Sequence, residues 1–385
     1  MANPTRRQPR VAQPGEPSRA DASVPIQFGL WSGDFSRVTG QAIVTARVAE
    51  LLRSASTREF IYRGRGAVML LTWLRVVGLA WWHACTGRLE TLYVVCSRST
   101  AGFLRDLPAY LVQWSGTRVV VHVHGSDIVD LLGRRGVGMV ARSLMRRCEL
   151  VLPSQHLVEP LHQLGLTRLH VCENFVADPP ADAEVGVAVS LATTAPAVLN
   201  VLWNSNIIAS KGFFCVAEAV ASMHRDGQVV RLTALGTAMA DNRLSLEQCQ
   251  RRLDALIREP WFDHRGAVDQ SQSMRLLSSA DVVCLPSTYA SECQPLALIE
   301  AMCAARPLVV ANTPALRATV KDYPCEMVDV VNPESVRACL QRIARSRPPA
   351  ALSAAAVAAR ERFSAGRFDR QLALILRIPA DLSPA

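Results

Sequence analysis

Short runs of Val, Leu and Ile recur along the chain, each followed by a polar or glycine-bearing stretch and then a longer amphipathic segment. Residues 25–31 (PIQFGLW), 92–96, 118–124, 148–153 and 169–176 read as strands of one set. Residues 197–203 and 229–236 read as strands of a second, followed by a turn-helix over 268–277. Residues 280–312 (ADVVCLPSTYASECQPLALIEAMCAARPLVVAN) read as strand, loop, helix and strand, the helix opened by Pro295, a residue suited to a first helical turn. The amphipathic segments 41–52 and 212–224 supply connecting helices. Alternating strands and helices predict the α/β class with parallel sheets, whose ligands bind at the carboxyl ends of the strands.

The pattern breaks twice. Residues 1–24, rich in Pro, Arg, Ser and Ala, lack an apolar core and read as a disordered arm that is neither signal peptide nor anchor. Residues 178–196 are rich in Pro, Ala and Asp and read as a linker between a first domain at 25–177 and a second at 197–361. The 385 residues suffice for two such domains.

Residues 66–85 (GAVMLLTWLRVVGLAWWHAC) form the most hydrophobic stretch. They have nearly the length of a membrane span, but Arg75 sits mid-segment. A packed domain helix, an interfacial helix and a span are all consistent with the sequence. The basic cluster at 134–147 reads as a solvated face or as a patch facing a membrane.

Half the residues are hydrophobic and 19% are charged, as in a globular protein. The formal net charge of +9 suits contact with phosphates, an anionic membrane or nucleic acid. Nucleic acid is disfavoured, because no zinc-finger spacing, basic-aromatic interleaving or helix-turn-helix pattern occurs. Eleven cysteines without a CxxC pair point to a reduced, cytoplasmic compartment. Arginine is the default cation, and Lys211 and Lys321 are the only lysines. Lys211 also falls where a polar loop (NSNIIASK) meets a helix, so its ammonium and the backbone N–H groups could hold a diphosphate together.

Two carboxylates stand in the central stretch. Glu292 precedes the helix, and Glu300 is the only charge on an otherwise apolar segment. A carboxylate there needs a partner, and a sugar diol would serve. Beside Glu292 the helix start offers N–H groups from Cys293, Gln294 and the residues after Pro295, a phosphate site. Carboxylates next to an anion hole suggest a nucleotide-sugar.

This arrangement, Glu292 and Glu300 with CQPLALI between them and AMCAARPLVVAN after, resembles the Glu-x7-Glu signature of glycosyltransferase family 4, retaining enzymes of the GT-B fold. The resemblance runs from about residue 25 to residue 376. It implies two Rossmann-like domains facing across a cleft, with a last helix, within 362–385, returning to the first domain. It also implies Glu292 on the donor sugar, Glu300 on the ribose, Lys211 on the diphosphate, and His124 of the His-Gly-Ser-Asp stretch against the sugar. The alternatives are a buried structural histidine at His124 and an Asp127 that caps the next helix. Gly40 is the one glycine where the family often has a pair, and Asn204 to Asn206 stand where it has Gly-Arg, which makes Asn206 a donor-site candidate. Asn174 matches an Asn-Gly-Val segment in which Phe175 replaces the glycine, and Val268 falls where backbone often meets the base.

The implied reaction moves a sugar from a nucleotide diphosphate sugar to a glycan or polyprenyl-diphosphate-linked acceptor, in bacterial surface polysaccharide assembly, with no metal and no other cofactor. The implied location is cytoplasmic, with peripheral contact with the inner face of the plasma membrane possible. A nucleotide-sugar epimerase or hydrolase, and a degenerate scaffold, stay open beside it. A dehydrogenase is disfavoured because no GxGxxG follows a strand. A glycosidase is disfavoured because both glutamates share one loop and helix.

Overall fold

The computed structural model describes residues 26–35, 40–53, 55–176, 198–345 and 351–378. The arm at 1–24 and the linker at 178–196 lie outside the described residues. The first half runs β1 (Ile26–Gly33), α1 (Gly40–Arg53), β2 (Thr57–Tyr62), α2 (Gly66–Cys85), β3 (Leu89–Val95), α3 (Thr100–Leu111), β4 (Arg118–His122), α4 (Ile128–Gly133), α5 (Val137–Met145), β5 (Glu149–Leu152), α6 (Val158–Gln163) and β6 (Leu169–Val171). The second continues with β7 (Leu199–Asn204), α7 (Phe213–Arg225), β8 (Val230–Leu235), α8 (Leu246–Leu256), β9 (Phe262–Gly266), α9 (Gln270–Ser279), β10 (Val282–Leu285), α10 (Leu296–Cys303), β11 (Leu308–Ala311), α11 (Pro314–Thr319), β12 (Glu326–Val328) and α12 (Pro333–Arg345). Two helices close the described chain, α13 (Ala351–Arg362) and α14 (Ala365–Leu376).

Each half is a parallel six-stranded sheet, ordered β2-β1-β3-β4-β5-β6 in the first and β12-β11-β10-β7-β8-β9 in the second. The strand order reverses at β1/β3 and at β7/β10, and such switch points open a crevice at the strands' carboxyl ends. Central strands such as β10 (VVCL) and β11 (LVVA) are buried along their whole length, which is why they read as unbroken apolar runs. Edge strands do not. β2 (TREFIY) and β9 (FDHRG) are half polar and partly exposed, so the apolar pattern alone marks neither as a strand. Residue 268 lies in the turn before Asp269, whose side chain caps α9.

Alternate residues of β3 serve opposite faces of the first sheet. Leu92 and Val94 join a core with Val76 of α2, Phe103 of α3 and Leu144 of α5. Tyr93 and Val95 join one with Val44 and Val48 of α1 and with Phe368, Leu372 and Leu376 of α14. The last helix therefore packs on the first sheet. Arg47 forks onto Asp369 (2.5 and 3.1 Å), and Arg118, bidentate to Glu149 (2.7 Å each), also donates to the Leu376 carbonyl (3.0 Å). Two α/β domains facing across a cleft, with this crossing helix, are the GT-B fold.

Candidate functional site

A cleft of about 410 Å³ opens between the carboxyl ends of the two sheets. His124, Lys211, Glu292, Cys293, Gln294, Glu300, Gly40 and Asn206 all line it.

The second domain supplies the charge. After β7 the chain turns through Ala209–Lys211 into Gly212, whose φ of +89° is left-handed. A Cβ there would lie 2.5 Å from the Pro286 carbonyl oxygen, so glycine is what lets this turn press against the loop after β10. Lys211 is thereby set with Nζ 3.3 Å from Glu292 Oε2 and 3.1 Å from Ser205 Oγ. Ser287 donates to the same Glu292 oxygen at 3.0 Å. Both charged side chains are nearly enclosed, at 14% and 10% exposure, and a pair so desolvated persists only when well hydrogen-bonded.

Glu300, on α10, accepts from Asn204 Nδ2 at 2.7 Å, and Asn204 is oriented in turn by Ser273 (3.3 Å). Burial pushes the Glu300 carboxyl up from its ordinary range, and the single neutral donor only partly offsets this. Additional hydroxyl donors would stabilise its charged form. Pro295 occupies the N-cap of α10 rather than a position inside the first turn. The backbone N–H groups of Leu296 and Ala297, both cleft residues, belong to the helix start that has no intrahelical acceptor. Across the cleft Gly40 begins α1, and a Cβ on it would touch Leu296 at 3.6 Å, so two helix N-termini approach one another here. Residues 36–39 before it lie outside the described residues. Asn206 lines the cleft and accepts from the Thr237 N–H at 3.3 Å.

The first domain supplies a neutral wall. His124 follows β4 by two residues, with its ring 4.2 Å from that of His122, which hydrogen-bonds the Tyr93 hydroxyl through Nδ1. Burial, reinforced by His122 and Arg98, holds His124 well below the ordinary imidazole range, so it is neutral near pH 7. Its Nε2 is buried without a hydrogen-bond partner, a site for a ligand group or water.

The loop carrying Glu292 is held by the first domain residue by residue. Ser126 Oγ donates to the Glu292 carbonyl, and Ser291 Oγ to Asp127 at 2.5 Å. Asp127 sits at the N-cap of α4 without a side-chain capping bond, which corrects the capping alternative: it pairs with Arg98 at 2.7 Å instead. Gly125 makes room for that pair, since a Cβ would fall 1.7 Å from Arg98 Nη1. Cys293 is buried in the first domain's core, which pushes its thiol up to about 12. Gln294 accepts from the Asn174 N–H (2.6 Å) and donates to Glu173 (3.0 Å), while Asn174 Nδ2 donates to the Gln294 carbonyl (2.9 Å). The side chains of Cys293 and Gln294 are thus interdomain struts, leaving only their backbone for a phosphate.

Sequence reasoning missed Asn204 as the partner of Glu300, and Ser273, Ser126 and Ser291. Only the tertiary fold brings them together, and no local spacing marks them. Among the described residues no three His, Cys, Asp or Glu side chains converge as a metal site would require.

No curated protein matches the sequence. Residues 199–346 match the family model described as glycosyl transferases group 1. Among solved structures, Anabaena HepE in complex with UDP and glucose is 15% identical, with a TM-score of 0.65 over 92% of this chain and 100% of its own. Sucrose-phosphate synthase from Thermosynechococcus elongatus is 16% identical, with a TM-score of 0.66 over 91% and 98%. A glycosyltransferase from Rickettsia africae is 12% identical, with a TM-score of 0.66 over 92% and 98%. Residues 199–346 are thus similar to glycosyl transferases group 1, within a GT-B fold that takes in both halves of the chain.

Proposed function

We propose that the protein is a retaining, family 4 glycosyltransferase that moves a sugar from a nucleotide diphosphate donor to a glycan or a polyprenyl-diphosphate-linked saccharide. The observation that carries this reading is the near-buried Lys211–Glu292 pair beside Glu300 and the start of α10 in one cleft. Lys211 and the α10 N–H groups would hold the diphosphate and stabilise charge developing on it as it leaves, usually the largest catalytic contribution such a site can make. Glu300 would accept from the ribose diol, and Glu292 from sugar hydroxyls once Lys211 turns to phosphate. His124, neutral with a free Nε2, would meet the sugar from the other domain.

Both cleft glutamates lie on the second domain, and none of the cleft residues from the first is a carboxylate. An opposed carboxylate nucleophile is therefore lacking among the described residues, and same-face attack with the departing diphosphate as base suits retention. The Lys211 charge takes the place of a metal ion, so transfer proceeds in EDTA. The UDP and glucose bound by HepE favour a nucleotide-sugar donor here. Bacterial surface polysaccharide assembly on the cytoplasmic side of the membrane is the role that fits such a donor and acceptor.

The described cleft residues include no arginine, which favours a second reading, a nucleotide-sugar-binding scaffold with little turnover. Binding of nucleoside diphosphates and their sugars, measured in EDTA for wild type, Glu300→Ala and Lys211→Ala, is the first test. Selective binding weakened about tenfold or more by each substitution is expected, given the worth of hydrogen bonds to charged groups. The bound donor, labelled, is then offered to acceptors and the anomeric configuration of the product read by NMR. A folded wild type that binds no donor refutes the reading; binding without transfer selects the scaffold, and donor turnover without acceptor selects an epimerase or hydrolase.

A further inference from the structure

The helix α2 is inverted. Val76, Ala80, His83 and Ala84 bury one face on the first sheet, as any domain helix must. The opposite face, where charged residues belong on a surface helix, exposes Val68 (59%), Leu70 (53%), Leu71 (66%), Leu74 (51%) and Trp82 (50%). At about 100° per residue these positions fall within one arc, which also holds Ala67, Gly78 and Cys85 and a single charge, Arg75. Soluble monomers rarely leave a contiguous apolar patch larger than a few hundred Å². Five large side chains, each half or more exposed, reach that range.

The surroundings state what kind of surface covers the patch. Residues 63–88 contain Arg63, Arg65, Arg75 and Arg88 and no Asp or Glu. Trp73 of α2 bonds the Arg105 carbonyl of α3 (2.9 Å), and α3 packs on α5 in the same helical layer. That layer exposes Leu104, Met139 and Val140, and the stretch 134–147 adds Arg134, Arg135, Arg142, Arg146 and Arg147, again without an acid. The face is apolar with a basic surround.

We infer that the α2 face of the first domain docks in the plane of an anionic lipid bilayer, the exposed leucines and Trp82 entering the headgroup boundary and the arginines meeting lipid phosphates. A second copy of the chain would set arginine against arginine, whereas anionic headgroups complement them. The helix lies in the surface rather than crossing it. Its buried face is fixed lengthwise to the sheet, Arg58 meets His83 at 2.9 Å near its end, and lipid could not replace these contacts. Arg75 reaches the headgroups by extending its stem. The start of α2 follows the carboxyl end of β2, so the docked face borders the end of the sheet at which the cleft opens. Docking does not depend on the proposed transfer reaction.

Co-sedimentation of the full chain with phosphatidylcholine vesicles, with and without phosphatidylglycerol, tests this. The wild type is expected on the phosphatidylglycerol vesicles and to be released by salt. Leu71→Glu with Leu74→Glu should lower the vesicle partition at least about tenfold with an unchanged Tm, because both side chains are exposed. Arg134→Glu with Arg135→Glu should lower it severalfold and flatten the salt dependence. Three results overturn the proposal: no sedimentation with anionic vesicles at low salt, equal partition of the leucine variant, or a wild-type dimer in solution that the leucine variant dissociates. Donor binding by the leucine variant should match wild type, which separates failure of docking from failure of the cleft assignment.

Discussion

The two walls of the cleft are made of different chemistry. The second-domain wall holds Lys211, Glu292 and Glu300, each with a named partner, while the first-domain wall presents His124, uncharged and with an open nitrogen. The charge that would meet phosphate and ribose under the proposed function sits on the second domain alone, beside its β7/β10 switch point. A neutral polar wall can close over it without like-charge repulsion or a competing ion pair. Under the proposed function, donor affinity would belong to the second domain, and the first would act on the sugar and the acceptor.

The sharpest way to break this comparison is Lys211→Ala. If Lys211 is the main cation at the departing diphosphate, kcat/KM falls about 100- to 1000-fold, some 3–4 kcal/mol, and Lys211→Arg restores it only in part. Steady-state kinetics with a saturating acceptor check this, and a loss under tenfold would move the phosphate site elsewhere.

Next in size is the response to acid, which falls on the first domain. Burial holds His122 down to about 3 and His156 down to about 4, and His124 is lowered as well. Below the ordinary imidazole pKa of about 6.5 the unfolded chain gains protons that the fold refuses, so stability is full above that pH and is lost as pH falls toward 4. The loss approaches about 1.4 kcal/mol per pH unit for each fully buried histidine. Denaturant titrations between pH 7 and 4 measure it, and a flat profile would mean that these rings are protonated in the folded state.

His124→Ala is expected to lower kcat about tenfold or more while leaving the Kd for a nucleoside diphosphate unchanged. Equal losses in both would erase the division between the walls. The smallest effect belongs to the joint between them. Asn174→Ala removes the side-chain hydrogen bond to the Gln294 carbonyl, keeps the backbone one to Gln294 Oε1, and should cost about 1 kcal/mol, seen as a lower Tm with a modest rise in donor KM. An unchanged Tm would show that the remaining contacts, the insertion of Cys293 among them, seat the loop.

How far the site was legible follows from where its chemistry sits. Glu292, Glu300 and Lys211 lie within or beside strand-to-helix loops whose apolar flanks are plain in the sequence, so their convergence at the carboxyl ends of strands could be anticipated. Asn204 could not be assigned, because an asparagine ending a strand says nothing of a glutamate 96 residues on. Cys293 and Gln294 were expected to offer N–H groups to phosphate. Their side chains are committed to the other domain, a role that exists only once the domains face each other. β2 and β9 carry no plain apolar pattern of their own, since edge strands alternate or dilute their apolar residues and imitate loops.

The helices α2 and α10 mark the boundary between the two kinds of knowledge. Both read as apolar helices from composition alone, and local periodicity fixes that much because backbone hydrogen bonding and side-chain pattern are local. Their fates differ. α10 is enclosed between β10, β11 and α13, whereas α2 lies on the outside of the first sheet with Val68, Leu70, Leu71, Leu74 and Trp82 exposed. The sequence by itself determined the α/β class, the central strands and the residue types able to handle a nucleotide-sugar. Which apolar face is buried, which carboxylate meets which amide and which loop crosses between domains were decided only by the tertiary structure, because those depend on contacts between residues far apart in the chain.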